Sequence, residues 1–70
     1  MENRMLALAI ENARRDYTNA KRREYTARRT WKIDVSCVKY EYALNAAIDE
    51  REHAFKTLQA LIDEKDSRVE

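Results

Sequence analysis

The sequence predicts an all-α fold: two long amphipathic helices in an antiparallel helical hairpin, coiled-coil-like, with dimerisation to a four-helix bundle. Three observations carry this. Apolar residues keep a seven-residue repeat on both sides of residues 31–36, the two repeats are out of step, and 39% of the chain is charged. That much charge with sustained helical periodicity is the composition of long helices rather than of a disordered chain.

The first helix is expected over about residues 2–30. Its seam runs through Leu6, Ile10, Ala13, Tyr17, Ala20, Ala27 and Trp31, with Glu24 as the polar member. Alanine, arginine, glutamate and leucine supply helix propensity, and Asn3 is a candidate cap. Met5, Leu6, Leu8 and Ile10 make the start of the helix apolar nearly all round, more than one neighbouring helix can cover. That excess predicts a homodimer. A loose repeat follows, Ala-Arg-Arg at 13–15, Ala-Lys-Arg at 20–22 and Ala-Arg-Arg at 27–29, so alanines line the seam and basic pairs line one side.

A turn is expected over about residues 31–34. The chain has no Gly and no Pro, so the break is read from phase rather than from the usual turn residues. Continued past Trp31, the first seam would meet Asp34, Glu41, Asn45 and Glu52. A good seam restarts one residue out of step at Cys37, Tyr40, Leu44, Ala47, Arg51, Ala54, Leu58 and Leu61, widened by Ile48, Phe55 and Ile62. A one-residue slip turns the apolar face by about 100°, which a straight helix cannot absorb. Asp34 is the expected N-cap of the second helix, with Ile33 and Val38 as a hydrophobic staple. The alternation of Trp31, Ile33, Val35 and Cys37 also fits a short strand. One continuous kinked helix is the third reading.

The second helix is expected over about residues 34–66, with Ser67–Glu70 fraying. A turn closing near Ile33 brings level those residues whose numbers sum to about 67. Asp16 then faces Arg51, and Tyr25 meets Tyr42 on one outer side.

Seventy residues allow one domain, 1–70, with a small core. The net charge is +1, unevenly shared: residues 1–32 hold nine basic and four acidic side chains, residues 33–70 five basic and nine acidic. Cys37 is the single cysteine, so no internal disulfide forms and a reducing compartment is expected. Met5–Ile10 is too short to span a bilayer. The expectation is a cytoplasmic protein that does not engage a membrane.

Chemistry finds little purchase here. There is no arguable Ser/His/Asp set, no glycine loop for phosphate and no zinc spacing. Glu50 and His53 have the Glu-x-x-His spacing of carboxylate-bridged di-metal bundles. Helical phase points His53 away from the seam, however, which favours a solvated face. Cys37 lies near a helix start, where a thiolate is favoured, but it also fits the seam and is expected to be buried. The sequence therefore predicts no enzyme, no cofactor and no metal.

What remains is a binding surface. Arg22, Tyr25, Arg29, Trp31, Val38 and Tyr42 are expected to form a basic-aromatic patch near the turn, and Trp, Tyr and Arg are the residues of interface hot spots. The expected function is a small protein–protein interaction module, an adaptor or inhibitor, with an acidic protein as partner. The second reading is nucleic-acid binding through Arg14, Arg15, Lys21, Arg22, Arg28 and Arg29. A near-neutral total charge weakens that long-range attraction. A purely structural coiled-coil assembly element is the third.

Overall fold

The computed structural model describes residues 3–68. It contains two helices, α1 (Asn3–Ile33) and α2 (Val38–Ser67), packed against each other with no strand among the described residues. The expected start of the first helix at residue 2 and the fraying of residues 69–70 lie outside the described residues. The hairpin measures 52 × 14 × 14 Å between Cα extremes, close to the roughly 46 Å that 31 helical residues span.

The turn falls after Trp31, the last member of the first seam, and is formed by residues 34–37, ending on Cys37, the first member of the second. It is neither a strand nor a kinked continuation. The expected boundary needs correcting by three residues, for a local reason. The Asp34 amide donates to the Trp31 carbonyl at 3.2 Å, which closes α1, and the Cys37 amide donates to the Asp34 carbonyl at 3.1 Å. The Asp34 carboxylate accepts from the Ser36 amide at 3.1 Å and from the Ser36 hydroxyl at 2.6 Å. Asp34 thus spends its side chain on the turn rather than on capping α2. The N-cap is Cys37, in extended conformation, without a side-chain cap bond. The staple does not close either, since Ile33 is 83% exposed.

The later turn resets the register. Tyr17 meets Phe55, Arg23 meets Glu50 and Glu24 meets Arg51, so level residues sum to 72–75 rather than about 67. Asp16 does not face Arg51. Tyr25 and Tyr42 do not come level; they lie about 10 Å apart along the axis.

The core follows both seams except at Tyr40 and the flanking Phe55, which are exposed. Leu6, Ile10, Ala13, Ala20, Leu44 and Ala47 are buried, and Tyr17, Glu24, Ala27, Trp31, Cys37, Arg51, Ala54, Leu58 and Leu61 are half-buried. Alanine at the seam lets the helix axes approach closely. Two helices nevertheless leave much surface wet. The radius of gyration is 15.7 Å, against about 11 Å for a compact chain of this length.

Candidate partner-binding surface

The surface is organised by a charge network at mid-hairpin. Glu24 is the polar member of the α1 seam and Arg51 that of the α2 seam, and they meet: Arg51 Nε donates to Glu24 Oε1. Glu24 Oε2 also lies 3.6 Å from Arg28 Nη2, one turn along α1. The Arg51 hydrogen bond holds the Glu24 carboxyl below the usual carboxylate range, and the same bond pushes the Arg51 guanidinium up. Half-buried opposite charges at matched seam positions define which register is allowed. Beside them, Arg23 Nε donates to Glu50 Oε2 at 2.9 Å in an exposed pair.

With Arg23, Arg28 and Arg51 committed, the remaining cations of α1 can be placed. Arg15, Arg22 and Arg29 recur every seven residues on the side away from α2, each exposed. Arg14, Lys21 and Arg28 form the adjacent row. The Arg29 guanidinium sits 5.8 Å from the centroid of the Tyr25 ring, and Lys21 Nζ sits 5.2 Å from that of Tyr17. Both are within cation–π range. Tyr17 in turn packs on Phe55, ring centroids 5.6 Å apart at 54°. Among the described residues Arg14, Arg15 and Arg22 make no ion pair.

The six residues expected to bind a partner are not one patch. Arg22, Tyr25 and Arg29 share the outer side of α1, where Tyr25 and Arg29 line a shallow depression with Thr26, Thr30, Lys32 and Ile33. Trp31 is half-buried at the seam. Val38 and Tyr42 are exposed on the outer side of α2, Tyr42 at 71%. The register sets Tyr42 about 10 Å along the axis from Tyr25, which is itself 64% exposed.

Ile33 and Val35, read from the sequence as a staple member and as part of a strand-like alternation, are exposed at the turn. The signal for that exposure was present, because neither belongs to a seam.

The other chemistry-bearing residues are easily placed. Cys37 is half-buried rather than buried. His53 is exposed on a groove floored by Ala13, Ala20 and Ala54 and rimmed by Asp16, Arg23 and Glu50. Among the described residues no group of three or more His, Cys, Asp or Glu side chains is placed to hold a metal ion. No helix among them is long and apolar enough to cross a membrane. No protein-family model matches this chain, and no curated protein or solved structure matches it.

Proposed function

We propose that this chain is a small non-enzymatic module that binds an acidic partner protein through the turn-proximal outer surface of α1, and that it works as a homodimer. The observation that supports the reading is the Tyr25–Arg29 pair, guanidinium 5.8 Å from the ring centroid, beside the exposed Arg22. A flat aromatic ring carrying a guanidinium supplies contact area and charge together, which is the chemistry of an interface anchor. Trp31 supports this surface from the seam, whereas Val38 and Tyr42 lie apart from it on α2.

The unpaired Arg14, Arg15 and Arg22 favour a second reading, nucleic-acid binding along the basic rows. Calorimetry and gel-shift titrations on purified protein separate the two. For the partner-protein reading, Tyr25→Ala and Arg29→Ala weaken binding strongly while Arg15→Ala, about 20 Å from Arg29 along the helix, does little. For nucleic acid, Arg15, Arg22 and Arg29 contribute alike, and each loss lowers the salt slope by about one. Tight, Tyr25-independent nucleic-acid binding at physiological salt would overturn the proposal.

A further inference from the structure

One flank of α1 is unlike the rest of its exposed surface. Seven-residue spacing puts Met5, Asn12, Asn19, Thr26 and Ile33 in one row, with Ala9, Asp16, Arg23 and Thr30 in the row nearer the seam. Asp16 and Arg23 are the charged members, one of each sign. The other cations of α1 all lie elsewhere on its circumference.

The two rows are also symmetric about their middle. Turned end for end, the outer row pairs about Asn19, so that Met5 meets Ile33, Asn12 meets Thr26 and Asn19 meets itself, and the inner row pairs about a centre half a residue further on, so that Asp16 meets Arg23 and Ala9 meets Thr30. Apolar opposes apolar at both ends, uncharged polar opposes uncharged polar, and acid opposes base. A two-fold interface requires this self-complementarity, because the same patch serves both subunits.

α2 obeys the same axis. The intrachain register that sets Tyr17 against Phe55 sets Asn19 level with His53. On the same side of α2, a turn about His53 brings Ala46 against Ala60 and Lys39 against Ser67, and in the neighbouring row a centre half a residue further on brings Ala43 against Glu64 and Glu50 against Thr57. No like charges meet. The alanine-floored groove between Asp16, Arg23, Glu50 and His53 is centred on this axis, and its small side chains leave room for close approach.

We propose that a second copy of this chain seats on this face, layer on layer with its helices antiparallel, the two-fold axis passing beside Asn19 and His53. The area agrees. The chain exposes 5655 Å², whereas a compact monomer of 8.4 kDa exposes roughly 4,600 Å². The excess of roughly 1,000 Å² is on the scale of the ~800 Å² that each partner buries in a standard interface. Met5, 59% exposed, and Ile33 gain cover at opposite ends. Arg22, Tyr25 and Arg29 stay outside the dimer and are displayed twice, while Thr26, Thr30 and Ile33, which line the depression beside Tyr25 and Arg29, are shared with the dimer face.

The axis makes one residue diagnostic, because Asn19 faces its own copy. Asn19 is exposed, so Asn19→Glu and Asn19→Lys leave the seam intact. Sedimentation equilibrium at tens of micromolar, with circular dichroism on the same samples, gives the readout. Wild type is expected to be a dimer. Each variant alone repels itself and dimerises at least about tenfold more weakly, with unchanged helix content. An equimolar mixture of the two recovers the dimer as a heterodimer. A monomeric wild type, a variant that dimerises like wild type, or a mixture that stays monomeric would each overturn the proposal.

Discussion

The two flanks of α1 differ more than the two helices do. One carries Arg14, Arg15, Lys21, Arg22, Arg28 and Arg29 with Tyr25 among them, and the other carries Asn12, Asn19, Thr26 and Thr30 with a single acid and a single base. Both flanks belong to the same stretch of helix, so propensity and length cannot explain the contrast. Repulsion explains it: a flank of like charge cannot oppose its own copy, whereas a nearly uncharged flank with balanced ends can. On the two proposals above, charge on an amphipathic helix sorts partners by face, one side fitting a second copy and the other an acidic surface.

Several substitutions break or sharpen that contrast, the largest first. Leu44→Ala empties the seam on which both flanks depend, and costs about 2–5 kcal/mol in denaturant unfolding. Both dimer and partner binding then weaken together. If only one flank lost function, the flanks would not share a scaffold. Tyr25→Ala acts on the cationic flank alone. It costs about 2 kcal/mol of partner affinity by calorimetry and leaves the sedimentation behaviour unchanged. Trp31→Ala costs a similar affinity, but as a half-buried seam residue it also lowers the melting temperature.

Asp34→Ala lies off both flanks. It removes the Ser36 bonds that shape the turn, so it costs on the order of 1 kcal/mol in stability, with no change in either binding event. The smallest effect is that of pH. The Glu24 carboxyl is lowered in the folded state by its Arg51 hydrogen bond, so its contribution is fully present above the ordinary glutamate range. It is lost as pH falls through the lowered folded value. Thermal melts of wild type across the acid range should fall more steeply than those of Glu24→Gln.

Much of this architecture was legible before any coordinates. The two seams, their phase slip and the all-helical hairpin follow from the positions of Leu6, Ile10, Ala20, Leu44 and Leu58, because burial of an apolar stripe dictates helix phase. The register was not read correctly, and the reason is local. Asp34 before a helix has two uses for its carboxylate, the first turn of α2 or the Ser36 groups, and the sequence pattern favours the first while the chain takes the second. A better ruler was in view. Glu24 and Arg51 are polar members of opposite seams with opposite charge, and pairing them moves the centre of the hairpin from Ile33 to beside Cys37. The binding residues were named individually, but Tyr25 and Tyr42 were placed level with each other, and the corrected register sets them about 10 Å apart along the axis.

The separation of the two flanks is best tested by following side chains on each during one experiment. In an NMR dilution series of the wild-type protein, the Asn12 and Asn19 side-chain amides should shift as the dimer dissociates, while the Arg15, Arg22 and Arg29 Nε–H resonances stay in place. Arginine resonances that move with concentration while Asn12 and Asn19 hold still would contradict the account.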